Sequence, residues 1–342
     1  MTIALAACSS ASTPRSNPAP APPSGDDRAA FSSIPAGRGA RWANDVQRED
    51  VAIPIQPDPF TGTRLGSYRS RYTNISHGER RTRTTRASGK PVVVWLLGGS
   101  AAFGEGQRDD HTIASDLVRM AEAEGVPLDV HNLGVLGWTL WQEQAAVTER
   151  LASGGPKPDL VIMYDGFNDG FYSAASVVTG SPDWDQPVVF SSSASPAKLT
   201  RSKVDAAFHA EGGLDEVARR IARRFRSLQA LVASNVQAEH IAIEWFFQVD
   251  ATASFEQFAA YSKTTPEGLT RDTRYTRTVL DEILDTMESG DLPVVHDLRD
   301  LVGSDDPPVF FDMVHTNEVG ARMVARAIWD EIAPTLRDLH GS

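Results

Sequence analysis

From residue 91 onwards, strand-like segments alternate with segments of helical periodicity, and this alternation most constrains the fold. Val92–Leu97 is apolar at every position, which is typical of a strand buried on both faces of a sheet. Strands that alternate with helices predict a parallel sheet with right-handed crossovers. We therefore expect an α/β fold, a three-layer α/β/α sandwich around about five parallel strands, with ligands bound at the carboxyl ends of the strands.

The other elements of this region follow from the same patterns. Further strands are predicted at Leu128–Asn132, Leu160–Tyr164, Ile241–Phe247 and Val294–Asp297, and helices at Thr112–Glu124, Leu140–Leu151, Leu214–Ser234, in the stretch before Met287, and from Glu318. Residues 171–213 interrupt the alternation and are rich in Ser, Pro, Asp and Thr. Long insertions in compact domains usually serve function, so this one is predicted to form a rim or lid.

Residues 31–90 are irregular and turn-rich, and they are predicted to form an extension that packs on the domain of residues 91–342. Arg80, Arg81, Arg83 and Arg86 lie in a Thr-containing stretch that is typical of a solvated strand or loop. A phosphate-binding role for these arginines is the less favoured alternative.

The first 30 residues contain the only cysteine of the chain, Cys8, followed by a Ser-, Pro- and Ala-rich stretch. Leu5–Cys8 resembles a bacterial lipobox, which implies lipidation of Cys8 and a flexible tether to a membrane surface outside the cytoplasm. No basic residue precedes Cys8, and the apolar stretch is shorter than a signal peptide requires, so we expect the true start codon upstream. The alternative is a chance tetrapeptide in a cytoplasmic or secreted protein.

Composition excludes several classes of function. The net charge of −12 argues against a nucleic-acid partner, which would require a basic face. A single cysteine allows no disulfide within the chain, and the eight histidines lack the spacing of a Cys/His metal site. No apolar run reaches the ~18–20 residues that span a bilayer. We expect neither a metal nor a cofactor.

The first predicted strand leads into Gly98-Gly99-Ser100, and a serine in a Gly-rich turn after a buried strand is well placed for a nucleophile. A phosphate-binding loop is the alternative, but neither Gly-x-x-x-x-Gly-Lys-Ser/Thr nor a clean Gly-x-Gly-x-x-Gly is present. Three more blocks follow, at Asn132–Gly137, Gly166–Asp169 and Asp312–His315.

Together, the four blocks resemble the SGNH (GDSL-type) hydrolase family, and its lipoprotein-like bacterial members in particular, over residues 91–332. The resemblance implies that Ser100 is the nucleophile, His315 the general base, and Asp312 the residue that orients it. It also implies an oxyanion hole made of the Ser100 and Gly137 backbone N–H groups and the Asn168 amide. Gly134 is the alternative to Gly137. The chain departs from the family at Gly99 and Ala101, where Asp and Leu are usual.

The implied function is metal-independent hydrolysis of a carboxylic ester, such as an O-acyl group on a glycan or a lipid ester. An O-acyltransferase and a non-catalytic glycan-binding module on the same scaffold are the alternatives. Gln248, just past the fourth predicted strand, is a further candidate to reach the site. Tryptophans 138, 141, 184 and 245 are expected either in a substrate groove or in the core, and histidines 111, 131, 240 and 296 are expected to be structural.

Overall fold

The computed structural model describes residues 30–172, 201–251, 277–286 and 294–341. The strands are β1 (Ile55–Asp58), β2 (Gly62–Leu65), β3 (Tyr68–Arg69), β4 (Asn74–Ser76), β5 (Glu79–Arg80), β6 (Val92–Gly98), β7 (Leu128–Asn132), β8 (Leu160–Asp165), β9 (Ala242–Phe247) and β10 (Val295–Asp297). The helices are α1 (Ala43–Val51), α2 (Ser100–Phe103), α3 (Ile113–Ala123), α4 (Leu140–Ala152), α5 (167–172), α6 (Arg201–Ala210), α7 (Leu214–Ala238), α8 (277–286) and α9 (Glu318–Gly341). Short 3₁₀ turns lie at Phe31–Ser33, Pro35–Gly37 and Asp109–His111.

The central sheet has eight strands in the order β10-β9-β8-β6-β7-β5-β4-β3. The five strands from β10 to β7 are parallel, as the sequence predicted. Their order, with β6 between β7 and β8, is that of flavodoxin-like sheets, in which ligands bind at the carboxyl ends beside the first strand. The chain therefore places its site where β6 and β8 end.

Strand β6 shows why the fold has three layers. Its alternate residues Val94 and Leu96 face a core cluster that includes residues of α3 and α9, whereas Trp95 and Leu97 face a second cluster with residues of α4 and α7. Because successive side chains of a strand point to opposite faces, a strand apolar at every position needs helices on both sides. The three-layer α/β/α architecture is confirmed.

The sheet is mixed rather than purely parallel, which corrects the sequence-based expectation. Strands β3, β4 and β5 from the N-terminal extension continue the sheet beyond β7 in antiparallel pairing. Strands β1 and β2 form a separate two-stranded sheet. These strands have only two to four residues each, so they contain too little periodicity to be recognised in the sequence. The extension thus contributes to the same sheet as the domain.

Arg80 at the end of β5 is buried, and the prediction of a solvated arginine stretch is wrong for this residue. Its guanidinium donates to the carbonyls of Phe103 and Gly104, at 3.0 and 2.7 Å, and to the Gln107 carbonyl. It also forms a 3.1 Å ion pair with Asp109. The planar fork satisfies the backbone carbonyls at the carboxyl end of α2, which explains why a charged side chain is stable there.

Replacement of Arg80 by Met is expected to lower the free energy of unfolding by about 3–5 kcal/mol, because it leaves the buried Asp109 without its counter-charge and removes one donor from each of three carbonyls. Urea unfolding followed by circular dichroism measures the effect. The matched control is Arg81→Met, which removes an exposed ion pair with Asp110 and is expected to cost less than about 1 kcal/mol. Equal losses in the two variants contradict a structural role for the Arg80 side chain.

The remaining predicted segments have mixed outcomes. Within the 171–213 insertion, Arg201–Ala210 forms a helix that the sequence patterns did not predict, while residues 173–200 lie outside the described residues. Cys8 and the tether also lie outside them, as does Trp184. In the described segments, no helix is both long enough and apolar enough to cross a bilayer.

Candidate active site

The turn after β6 places Ser100 at the first residue of α2. Gly99 precedes it in an extended conformation, and Gly104 ends the four-residue helix in the left-handed region with φ of +93°. The Gly104 N–H donates to the Ser100 carbonyl at 2.9 Å. The Ser100 side chain lies at the carboxyl edge of the sheet, and the residue is 8% exposed.

A hydrogen-bonded chain joins Ser100, His315 and Asp312. Ser100 Oγ lies 2.7 Å from His315 Nε2, and His315 Nδ1 lies 2.6 Å from Asp312 Oδ2. Because Nδ1 faces a carboxylate, the proton of the neutral ring belongs on Nδ1, and Nε2 is left as the acceptor for the Ser100 hydroxyl. The structure thus brings together three residues that lie up to 215 positions apart in the sequence.

Asp312 is fixed by the loop that precedes α9. Its Oδ1 accepts the backbone N–H groups of Val314 and His315, both at 2.9 Å. Desolvation acts to raise the pKa of this carboxyl, but the charge and hydrogen bond of His315 and the two N–H groups outweigh it and lower the pKa to about 2. Asp312 is therefore ionised at every pH at which a histidine can act as a base.

Asn168 lies in the first turn of α5, which follows β8, and it is close to Gly99 in the turn before Ser100. Its Nδ2 donates to the Trp138 carbonyl at 2.7 Å, which fixes the amide and leaves its second N–H to point elsewhere. A Cβ atom on Gly99 would lie 2.4 Å from Asn168 Nδ2. The amide therefore occupies the space that any larger residue at position 99 would need. This explains why the chain has glycine where the family that the four blocks resemble usually has aspartate.

The structure separates the two glycines that were candidates for the second oxyanion donor. The Gly134 N–H is bound by Asn132 Oδ1 at 3.1 Å, and the glycine packs against the backbone of Phe103. Gly137 lies in the left-handed region with φ of +75°, directly before Trp138, whose carbonyl holds Asn168. This arrangement favours Gly137, and its role as a donor stays a prediction.

A buried carboxyl pair between α4 and β8 was not predicted from the sequence. Glu143 of α4 and Asp165 at the end of β8 are 0% and 2% exposed, and Trp245 Nε1 donates to Asp165 Oδ1 at 3.2 Å. Among the residues that the structure describes, both Glu143 oxygens and Asp165 Oδ2 have no other hydrogen-bond partner, so a proton on Glu143 that is donated to Asp165 satisfies the pair. Burial raises the pKa of Asp165 to about 7, and burial and the adjacent carboxylates raise that of Glu143.

Stability is expected to fall as the pH rises from about 5.5 to 8. In the folded state the pKa values of Asp165 and Glu143 lie above their ordinary values of 3.8 and 4.5. The folded state therefore binds more protons than the unfolded state in this range, and it loses stability as the two carboxyls lose their protons. Burial also raises the pKa of Asp50 to about 7, and this group acts in the same direction.

Glu143→Gln, which donates permanently to Asp165, is expected to reduce the difference in Tm between pH 5.5 and pH 8. Differential scanning calorimetry measures the difference. Glu149→Gln on the exposed face of the same helix is the control and should retain the wild-type difference. A Glu143→Gln variant with an unchanged pH dependence contradicts the shared proton.

The other candidate residues lie apart from the hydrogen-bonded chain. Trp138 is buried and donates to Thr63, Trp245 is in the core, and Trp141 is 46% exposed. Gln248 is buried, and within the described residues no hydrogen bond joins it to Ser100, Asn168 or His315. The histidines expected to be structural lie elsewhere: His131 contacts Glu79, His111 lies near Glu318, His296 stacks on Phe246, and His240 follows α7.

Across residues 30–172, 201–251, 277–286 and 294–341, no group of three or more His, Cys, Asp or Glu side chains is arranged to hold a metal ion. A serine hydroxyl bound to an oriented imidazole, with amide donors beside it, is an arrangement that supports nucleophilic attack on a carbonyl.

Comparison with known proteins gives matches at the level of solved structures. No family model matches the chain, and no curated protein matches it. A single-site variant of an acetyl xylan esterase from Geobacillus stearothermophilus is 16% identical, with a TM-score of 0.39 over 71% of this chain and 95% of that one. The psychrotrophic esterase EstA from Pseudoalteromonas sp. is 12% identical, with a TM-score of 0.41 over 72% and 99%.

A third solved structure is a member of the lipolytic G-D-S-L family from Veillonella parvula, 12% identical, with a TM-score of 0.41 over 70% of this chain and 96% of that one. This is the family that the four sequence blocks resemble. With identities of 12–16% and TM-scores near 0.4, these similarities identify no substrate for this chain.

Proposed function

We propose that this chain is a serine esterase that hydrolyses carboxylic esters through an acyl-enzyme on Ser100. The observation that carries the proposal is the hydrogen-bonded chain from Ser100 Oγ through His315 to Asp312, with distances of 2.7 and 2.6 Å. A serine is a weak nucleophile at neutral pH unless an adjacent base removes its proton, and the imidazole is oriented for that role.

In the first half of the reaction, Ser100 Oγ attacks the ester carbonyl carbon while its proton moves to His315 Nε2. The tetrahedral intermediate then expels the alcohol, which takes the proton from Nε2 and leaves the acyl group on Ser100. In the second half, His315 removes a proton from water, the hydroxide attacks the acyl carbonyl, and Ser100 regains its proton as the acid leaves. Asp312 stabilises the imidazolium in both halves and remains ionised.

The negative charge of the tetrahedral intermediate needs donors. The proposed donors are the backbone N–H groups of Ser100 and Gly137 and the second N–H of the Asn168 amide. A neutral amide is suited to this role because it donates a hydrogen bond at any pH. It also carries no charge that would have to be desolvated in the site. Removal of one such donor typically lowers kcat by ~10²–10³-fold.

The proposed substrates are O-acyl groups on glycans or lipid esters, and the proposed location is outside the cytoplasm, where a lipid on Cys8 would hold the chain at a membrane surface. The Leu5–Cys8 segment supports the anchor. Mass spectrometry of Cys8-containing peptides from the membrane fraction of the source cells tests it. A diacylglyceryl group on Cys8 is expected, and an unmodified peptide that continues from Met1 through Cys8 contradicts it.

The test of the proposed activity is hydrolysis of p-nitrophenyl acetate, butyrate and palmitate by the purified full chain, in the presence of a metal chelator. Saturable hydrolysis of at least one ester is expected. An O-acyltransferase is the second candidate, and it is identified if an added sugar acceptor is acylated faster than free acid appears. An inert protein that still binds a glycan contradicts an enzymatic role for the site.

Gly99→Ala is expected to lower kcat by about 10²-fold, because the new methyl group displaces the Asn168 amide that lies 2.4 Å from its position. The amide is the end of a side chain and can move, but the methyl group would also lie 3.2 Å from the Trp138 carbonyl, so a small fall in Tm is expected. Gly155→Ala, where the added methyl group meets only the Ser153 hydroxyl at 3.7 Å, is the control for activity and stability. Wild-type kcat in Gly99→Ala contradicts the proposed role of Asn168.

A further inference from the structure

A second carboxylate, that of Glu105, lies at the contact between Ser100 and His315. Glu105 Oε2 is 3.3 Å from His315 Nε2, the nitrogen that also lies 2.7 Å from Ser100 Oγ. The side chains of Glu105 and His315 are each 14% exposed, so solvent screens their interaction only in part. The imidazole is therefore flanked by carboxylates on both ring nitrogens, Asp312 at Nδ1 and Glu105 at Nε2.

The backbone around Glu105 reverses direction, which places this side chain beside Ser100 and His315. Gly104 and Gly106 on either side adopt left-handed φ values of +93° and +84°, which reverse the chain directly after α2. The Glu105 N–H donates to the Ser100 carbonyl at 3.1 Å. The Gly106 N–H donates to Asp50 Oδ2 of α1 at 2.7 Å. The turn is thus held both by the nucleophile helix and by the N-terminal extension.

The charge on Glu105 affects the two states of the base in opposite directions. When His315 is neutral, its Nε2 lone pair accepts from Ser100 and faces the negative carboxylate, which is unfavourable. When the ring is protonated, the Nε2–H group and the positive charge interact favourably with the same carboxylate. A carboxylate in this position therefore favours the imidazolium over the neutral base.

We propose that Glu105 is a positioning residue that acts through His315. It stabilises the imidazolium and so raises the pH above which His315 is neutral and can act as a base. The proposal rests on the esterase function proposed above and adds a residue outside the four sequence blocks. It also gives a reason for the Gly104-Glu105-Gly106 sequence, to which the four blocks assign no role.

Other charged groups lie near the imidazole on neighbouring elements. Asp312 contacts Nδ1 from the loop before α9, and Asp50 of α1 interacts with both Glu105 and His315 through space. Arg80 of β5 interacts with Asp50. Desolvation raises the pKa of the Tyr172 hydroxyl of α5, and the negative charge of Glu105 contributes to the same rise. Of these groups, Asp312 and Glu105 are the two acids in direct contact with the ring.

The test is the pH dependence of kcat/KM for p-nitrophenyl acetate between pH 5 and 9, in the full chain and in Glu105→Gln. The acid limb of the profile, where His315 loses its proton, is expected to move down by about one pH unit in the variant. The alkaline plateau is expected to fall by at most about tenfold, because the imidazolium formed in the transition state loses the same stabilisation. The control is Glu216→Gln, an equal change of charge at an exposed ion pair on α7, which should not move the limb.

A direct titration keeps the inference independent of catalysis. The His315 ring is followed by NMR in Ser100→Ala and in the double variant Ser100→Ala/Glu105→Gln, and its pKa is expected to be about one unit lower in the double variant. Glu105→Asp, which withdraws the carboxylate by one methylene, should give an intermediate value if the glutamine variant is unfolded. If the wild type hydrolyses no ester, the proposed function fails, whereas an unchanged His315 titration overturns the inference itself.

Discussion

Replacement of Ser100 by alanine is expected to lower kcat for p-nitrophenyl acetate by ~10³-fold or more. The variant removes the atom that would carry the acyl group, while His315, Asp312 and the proposed oxyanion donors remain in place. Any residual rate then comes from direct attack of water on a bound ester, because the proposed oxyanion donors still stabilise the tetrahedral intermediate. Initial rates with the full chain, corrected for the uncatalysed reaction, measure the effect.

The change should be confined to catalysis. The substitution removes one hydroxyl from a site where His315 retains its bond to Asp312, so Tm is expected to remain close to that of the wild type. Ser227→Ala on the exposed part of α7 is the matched control and should keep full activity. A Ser100→Ala variant that is folded and retains more than about a tenth of the wild-type kcat contradicts the assignment of the nucleophile.

Asp312→Asn is expected to lower kcat by ~10³–10⁴-fold, an effect as large as the loss of the nucleophile. Asp312 Oδ1 accepts two backbone N–H groups, so the oxygen of an asparagine is held there and its NH₂ group replaces Oδ2. That NH₂ group donates to Nδ1, which must then carry the lone pair. The proton of the neutral ring moves to Nε2, and His315 can no longer accept the Ser100 proton.

Because this effect depends on the tautomer, it should appear in kcat/KM at all pH values from about 6 to 9 and leave the fold intact. Asp305→Asn, an exposed aspartate in the same approach to α9, is the control and should behave as wild type. Nitrogen-15 NMR of His315 reports the tautomer directly. A variant with Nδ1 still protonated and a reduced rate would require another explanation for Asp312.

Much of the domain could be predicted because its strands are buried on both faces. Val92–Leu97 and Leu160–Tyr164 are apolar at nearly every position, and the strands in the structure begin at the same residues. The positions of the candidate site residues could be predicted because each one lies beside an element with a strong pattern: Ser100 after β6, Asn168 after β8, and His315 before α9. The parallel sheet brings these residues together in space, and no local sequence pattern indicates that they are neighbours.

The N-terminal extension could not be predicted in the same way. Strands β3 to β5 have two or three residues each, and their stability comes from the edge of β7 rather than from their own pattern. Arg80 was expected to be solvated because charged residues are rarely buried; only the fold provides the carbonyls that satisfy it.

The buried acids were missed for a related reason. Glu143 and Asp165 lie on a helix and a strand that are separate in the sequence, and nothing in the local sequence distinguishes them from surface carboxylates. Glu105 carried a weak signal, since it lies between two glycines directly after α2, the helix that begins at Ser100. A glycine on each side of an acid, close behind a candidate nucleophile, could have prompted its consideration.

The most direct test of the nucleophile is covalent labelling of the wild-type chain with a fluorophosphonate, followed by peptide mass spectrometry. A phosphonate on a serine mimics the tetrahedral intermediate, so we expect one equivalent per chain, located on Ser100, with loss of ester hydrolysis in proportion to labelling. A fully labelled protein that still hydrolyses esters, or complete inactivation with the label on a different residue, contradicts the claim that Ser100 is activated by His315.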